Sequence, residues 1–335
     1  MLLRGLAVAA AAAAPGIVAA HSLAASDHAP AGVMFEHAHA AGGWMAGVRY
    51  LDETYSGVRS GSRPISDAAL VELGYHSRAG HMDMRMAMFE LMYAPTDRLT
   101  LMLMPQYMWM DMGMVALASH GGEPGGGHGH GDGAHRDHVA GWGDTQMSGI
   151  WRLHGDAHQQ WLLTATLSAP TGKVDIRGSD GRYAHYGMQL GSGTWDFLPG
   201  MTYVRRDNAW SAGVQVGLIR RLEDQNASGF RLGDGWNGTV WAAWSPSPRW
   251  SLSTRLAYKD IGKIEGHYNG AHNHAAPEDF QRNYGGRLLE GGLGVNTVLG
   301  RTRVGLEWQK PLRQDVNGQQ LGKDRSLWLS VSQGW

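Results

Sequence analysis

The segment HMDMRMAMFELMYAPTDRLTLMLMPQYMWMDMGM, residues 81–114, carries eleven of the chain's seventeen methionines, and from Met82 to Met88 and again from Met108 to Met114 they fall on every second residue. A helix, turning once in about 3.6 residues, would scatter such a row around its circumference. A strand has a period of two and sets the whole row on one face. The segment therefore reads as two strands joined at YAPTDR.

The same alternation recurs along the chain. Strands are expected near 43–52, 82–93, 99–112, 143–153, 160–170, 194–204, 209–220, 235–245, 249–260, 287–299, 301–310 and 325–335. Short connections (APTDR, HGDAHQ, RDNA, SPSPR, GR) alternate with long ones over roughly 53–80, 113–142, 171–192, 221–234, 261–286 and 311–324. Single-chain bacterial barrels have an even strand number, short periplasmic turns, long outer loops and aromatic girdles. The fourteen tryptophans and eleven tyrosines sit mostly at the ends of the alternating segments. The expected fold is all-β: a transmembrane antiparallel up-and-down β-barrel of about twelve strands, of the bacterial outer-membrane type. Its last strand, SLWLSVSQGW, ends in Trp335 and resembles the C-terminal signal of such barrels. Outer-membrane lipid and the barrel-assembly machinery are thus the expected partners.

The opening MLLRGLAVAAAAAAPGIVAA has the layout of a secretory signal, with cleavage expected after Ala20 or else Ala25. The chain then divides into a signal peptide at 1–20, a periplasmic segment at 21–41 and the barrel at 42–335. An exported chain without cysteine has no disulfide framework and no thiolate chemistry. With a formal net charge of −1, nothing suggests binding to nucleic acid.

A lysine or arginine facing lipid costs roughly 2–4 kcal/mol at the bilayer midplane, so charged rows mark the lumen. In RWSLSTRLAYK, Trp250, Leu252, Leu256 and Tyr258 oppose Ser251, Ser253, Arg255 and Lys259; in TRVGLEWQK, Val304, Leu306 and Trp308 oppose Arg303, Glu307 and Gln309. By the same test Glu90 shares its face with Met84, Met86, Met88 and Met92. Thr100 and Gln106 travel with Met102, Met104, Met108, Met110 and Met112. The methionine rows should line the interior. They would fill a narrow lumen as adaptable packing, offer soft Cu(I) sites whose weakness suits conduction, or form a wall for apolar solutes.

Histidines supply further candidate ligands. His120, His128, His130, His135 and His138 lie in the glycine-rich SHGGEPGGGHGHGDGAHRDH on the expected exterior; Met34, His37 and His39 lie in VMFEHAHAAGGW before the first strand; His267, His272 and His274 form a third group. Such tracts either bind borderline metals or are solvated loops. None has zinc-finger or catalytic zinc spacing. Copper, as Cu(I) or Cu(II), is the metal this methionine and histidine set would take, and no motif requires a cofactor. The inner charges Arg49, Glu90, Asp144, Arg152, Asp196, Arg255, Lys259, Glu290, Arg303 and Glu307 would form a salt-bridged network or a narrow polar pore. His76 beside Ser77 has no evident third partner for a lipid hydrolase, so an enzyme is not expected.

The stretches GVMFEHAHAAGGWMAGVRY, MAMFELMYAPTDRLTLMLMPQY, GWGDTQMSGIWRL, LSAPTGKVD, MQLGSGTWDFLPGMTYV and FRLGDGW, spanning roughly 32–245, resemble the outer-membrane barrels of the MetA-pathway of phenol degradation, or transporter, family. Similar members share the leading Met34, His37 and His39 pattern and the methionine strand; the histidine-glycine loop at 120–138 is this chain's own. The resemblance implies a porin-like channel or uptake role. The expected function is an outer-membrane channel for a small solute, copper-related if the methionine lumen and histidine loop bind metal. The alternatives are an uptake channel for small aromatic or hydrophobic compounds and a closed structural or surface barrel.

Overall fold

The computed structural model describes residues 28–117, 135–156 and 158–335. The leader expected at 1–20 and the loop histidines His120, His128 and His130 lie outside them. Among the described residues no helix is long and apolar enough to cross a membrane, a statement that leaves strands untouched.

The alternating segments form strands that pair antiparallel with their neighbours. They are β1 (Trp44–Gly61), β2 (Ser77–Thr96), β3 (Leu99–Met104, resuming as Gln106–Ala116), β4 (Arg136–Trp142, resuming as Thr145–Gly155), β5 (Gln159–Ala169), β6 (Asp196–Arg206), β7 (Trp210–Arg221), β8 (Gly235–Ser247), β9 (Trp250–Ile261) and β10 (Gly286–Leu299). The final run, Thr302–Gly334, is extended throughout but doubles back at Asn317–Gly318, where Gly318 has φ +57°. Residues 302–316 pair with β10 and residues 319–334 pair with β1, so these halves are β11 and β12. β1 also pairs with β2, from Trp44 opposite Tyr93 to Ser56 opposite His81. The ring is closed, no edge remains in it, and the chain crosses twelve times.

Outward positions are apolar where lipid would lie: Phe89, Leu91, Leu101, Leu103, Val214, Val216, Leu252 and Leu256 are all exposed on the outer wall. Aromatic rings flank this zone. Trp44 lies against Tyr93 and Trp161 against Tyr203 beside the short turns, and Trp236 lies against Tyr258 near the other end. Beyond that end the outer wall turns polar, with Arg85 and Arg325 both on Asp52 and Arg287 on Asp260.

Two expectations need correction. Residues 311–324 are not a long loop but the paired tips of β11 and β12 with a tight turn. These tips project past the apolar zone, so both of their faces are polar and the period-two hydropathy signal disappears. The segment placed in the periplasm does not stay there: around Ala31–Met34 it enters the barrel, where polar side chains of the inner wall bind its backbone, and it returns to the rim at Ala41 and Gly42. A lumen lined with arginines and glutamines offers more donors to an extended backbone than its own strand partners use.

Candidate functional site

The segment 28–43 lies across the mouth of the lumen on the side of the short turns, and we refer to it as the plug. Arg49 Nη1 donates to the carbonyls of Ala31 at 2.5 Å and Val33 at 2.8 Å. Gly32 N donates to Glu307 Oε2 at 2.8 Å, Gln215 Nε2 to the Met34 carbonyl at 2.7 Å, and Arg303 Nη2 to the Ala29 carbonyl at 2.5 Å. Farther along, Arg206 donates to the Glu36 carbonyl, Arg152 to the Ala38 carbonyl, and His39 N to Thr100 Oγ1. The plug is thereby tied to opposite sides of the ring, from β10 and β11 to β3 and β4.

Its other support is apolar. Met34 and Phe35 pack against a cluster of Met45, Met88, Met92, Met102, Met104, Ile150 and Leu162. A second cluster, Met110, Met112 and Met114 with partly buried Met82, Met84 and Met108, takes Met188, Leu190 and Ala276 from the long loops 170–195 and 262–285. Met84 and Met86 also touch the first cluster. The methionine rows thus face inward, but as a surface on which the plug and two loops rest. Met104 is fully buried and Met110 is 1% exposed. Packing accounts for them, since an unbranched thioether fits an irregular partner better than a branched chain.

The inner charges meet in pairs. Arg49 lies on Glu90 at 2.5 Å, Arg255 on Glu307 at 2.7 Å, Lys323 on both Glu53 and Glu290 at 2.7 Å, and Arg221 on Asp196. Arg303 reaches Glu36 at 3.2 Å. Asp144 accepts from the backbone of Gly172 and Ser192, fastening the loop after β5. Lys259 is exposed but lines the interior cavity described below. The partners Lys323 and Glu53 lay in segments read as loops, which is why the sequence did not single them out.

At the outer end the described loops pack on one another. Tyr183, Tyr268 and Tyr186 stack with ring centroids 4.2 Å apart, and Phe230 meets the stack edge-on. His185 Nδ1 lies 2.7 Å from Asp279 Oδ1 and both are buried. Burial disfavours the imidazolium, but the hydrogen bond to Asp279 and that carboxylate's charge outweigh it and raise the His185 pKa. Burial likewise opposes the Asp279 anion, and His185 overcomes it to hold that carboxyl low.

Beside the plug, against the inner wall, lies a cavity of about 360 Å³. Met34, Phe35, Leu198, Pro199 and Trp328 give it apolar walls; Glu53, Gln215, Lys259, Glu290 and Lys323 give it polar ones. It reaches the barrel wall where β6 meets β7. Gly200 pairs with Gly217 and Phe197 with Arg220, but between those pairs Pro199 and Leu198 have no ladder partners in Leu218 and Ile219. Proline lacks the N–H that the ladder would use. Unpaired backbone at membrane depth is tolerated where it lines a cavity, and Leu198, Pro199, Leu218 and Ile219 all line this one. Val216 and Leu218, half exposed on the outer wall, also line it.

Of the candidate metal ligands, His37 lies in the plug beside two residues the sequence did not single out. One ligand atom each of His28, Glu36 and His37 lies within 4.8 Å of the others. Burial drives the His28 imidazole down to about 3, and Arg303 adds to the effect. Burial would raise the Glu36 carboxyl, but His37, His28 and Arg303 hold it well below the carboxylate range. Phe35, with φ 60°, is the one non-glycine residue in the left-handed region among those described, a strain on the order of 1–3 kcal/mol. His135 meets Asp137 and His185, whereas His138 turns outward to Asp111 at 3.1 Å. His272 and His274 lie with tilted rings 4.4 Å apart in the outer loop.

The family model described as "Putative MetA-pathway of phenol degradation" matches residues 94–287, more than half of the chain. The chain belongs to this family. No curated protein matches it. Among solved structures, an outer membrane channel from Pseudomonas putida F1 superposes with a TM-score of 0.60 at 16% identity, covering 90% of this chain and 98% of that one. That likeness establishes the outer-membrane barrel fold. The NanC porin gives a TM-score of 0.42 at 8% identity over 84% of this chain and 98% of its own. A Pseudomonas aeruginosa FadL homologue gives 0.41 at 8% over 87% and 90%. The phenol-degradation family match takes in the open ladder between β6 and β7 and leaves out the plug and the β11–β12 hairpin.

Proposed function

We propose that the protein is an outer-membrane channel for small, largely apolar solutes carrying a polar substituent, of the size of a substituted aromatic ring, which pass between lumen and bilayer through the wall at β6 and β7. The observation that carries this reading is the cavity meeting the unpaired ladder at Pro199. An apolar cavity of about 150 Å³ holds a benzene, so about 360 Å³ is ample for a substituted ring. Apolar walls with a few polar groups are what such ligands select. The plug bounds the cavity on the short-turn side, and the interrupted ladder gives it a way out through the wall. A Cu(I) pathway along the methionine rows is the weaker reading, because these side chains pack into two hydrophobic clusters.

The chain has no cysteine, so the opening can be closed covalently. Leu198→Cys with Ile219→Cys places two thiols at facing positions of the broken ladder and leaves Pro199 in place. Uptake of a radiolabelled monoaromatic alcohol would be followed in cells whose outer membrane carries the protein. Protein-dependent uptake should vanish on oxidation and return on reduction. Equal uptake by the oxidised and reduced forms would dispose of the lateral route.

A further inference from the structure

The plug contains a polar cluster for which solute passage has no use. We propose that His28, Glu36 and His37 bind one divalent first-row transition metal ion, of the zinc or copper(II) class, and that the ion fastens the plug across the lumen mouth. Their donor atoms already lie within 4.8 Å of one another, so small side-chain rotations bring them onto a single ion. Two imidazoles and a carboxylate suit zinc and copper(II); calcium and magnesium want more oxygen, and Cu(I) softer donors.

Two independent observations support a ligand here. Glu36 is 1% exposed, and Arg303 takes its Oε1 at 3.2 Å while Oε2 is buried without a hydrogen-bond partner. A buried carboxylate oxygen left unused is costly, and a cation would satisfy it. The second is Phe35, whose left-handed backbone immediately precedes Glu36 and His37. Strain of this kind clusters at ligand clamps, and this turn brings residues 36 and 37 against residue 28. Buried His39, with its ring 4.9 Å from that of His37, stands next to the trio. An ion held this way joins residue 28 to residues 36 and 37, so the plug would leave the lumen as a closed loop rather than an open chain.

This site does not depend on the solute reading, because the test measures binding rather than transport. The probe is Co(II), titrated into the folded full-length barrel in detergent, in a background where His120, His128, His130, His135 and His138 are each replaced by glutamine. Expected are one equivalent of Co(II) per chain with visible absorption bands of four- or five-coordinate cobalt, and displacement of the cobalt by zinc. His28→Gln and His37→Gln should each weaken binding by roughly tenfold or more. Both variants keep the Glu36–Arg303 pair, and retained β circular dichroism with heat-modifiable gel mobility confirms their fold. Copper(II) bound to the background protein should show coupling to two imidazole nitrogens in its electron paramagnetic resonance spectrum, a readout needing no plug variant. Absence of the cobalt bands, absence of that coupling, or titrations unchanged by both substitutions would overturn the proposal.

Discussion

Arg49 anchors the plug to the barrel through two backbone carbonyls, and replacing it tests whether the plug is a separable element. Its Nη1 holds two plug carbonyls while its Nε holds Glu90. Arg49→Met alone would leave Glu90 buried and unpaired, a penalty of about 3–5 kcal/mol that falls on the barrel itself. Pairing it with Glu90→Gln removes that charge and isolates the plug contacts. Hydrogen bonds to a charged group are worth roughly 1.5–3 kcal/mol each, so losing two weakens anchoring by about 3–6 kcal/mol. Arg303, Gln215, Arg206 and Arg152 still hold the segment, and neighbouring contacts do not add fully, so the lower figure applies. About 3 kcal/mol is roughly a hundredfold in the displaced population. Ala31→Cys, buried at 1% exposure in the closed state, would report it by maleimide labelling, with single-channel conductance in planar bilayers as a second measure. Labelling should accelerate about a hundredfold in the double variant and openings should become more frequent. A folded double variant that labels and conducts like its parent would show that the plug contacts are not what closes the lumen.

Two further outcomes follow from the packing and the loop charges. Met104→Ala should lower unfolding stability in lipid vesicles by about 2–5 kcal/mol, the cost of emptying a filled core site, because Met104 has no exposure; Leu101→Ala, on the outer face at 46% exposure, should cost far less, and the reverse order in urea titrations would put the methionines on the wrong side. At the outer end, His185 has a raised pKa and Asp279 a lowered one. Their mutual stabilisation is therefore complete between the ordinary carboxylate value and pH 6.5, and it is lost as pH rises through the raised His185 value. Amide exchange in 170–195 and 262–285 should be slower near pH 6 than near pH 9 after correction for intrinsic rates, and Asp279→Asn should flatten the difference; equal protection at both pH values would refute the assignment.

The parts of the fold that were legible in the sequence are those where lipid imposes a rule. Inside the bilayer one face must be apolar, so Leu252, Leu256, Leu306 and Trp308 against Ser251, Arg255, Glu307 and Gln309 reveal both strand and orientation. Past the bilayer the rule lapses. β11 and β12 continue through PLRQDVNGQQLGKD with no hydropathy alternation, and only the Asn317–Gly318 dipeptide hinted at a hairpin. The plug was less legible still. Ala29, Ala31 and Val33 are short and apolar, and their burial comes from side chains of β1, β10 and β11 that bind their carbonyls. Backbone recognition leaves no mark on the side-chain pattern of the recognised segment. For the same reason His28 and Glu36 escaped notice: the spacing from 28 to 36 matches no ligand motif, and only the turn at Phe35 unites them. Pro199 was visible as a proline inside a strand, which by itself signals an interrupted ladder, but nothing in the sequence placed a cavity behind it.

The methionine period and the inserts in the lumen have one physical explanation. A barrel that admits an inserted backbone segment from one end and loops from the other cannot match each with rigid complementarity, because neither insert is a strand with a fixed pleat. Leucine or valine rows would pack a single shape well; methionine, with three rotatable bonds, gives up specificity for adaptability. The rows on β2 and β3 stand where both inserts come to rest, Met34 and Phe35 on one cluster and Met188 and Leu190 on the other. The opposite wall, β6 to β9, carries none of these rows. There the glycines Gly200 and Gly217 face each other, the ladder opens at Pro199, and the cavity lies behind it. One side of the ring thus holds the inserts and the other keeps the free volume, an asymmetry that a lumen packed only for stability would not need.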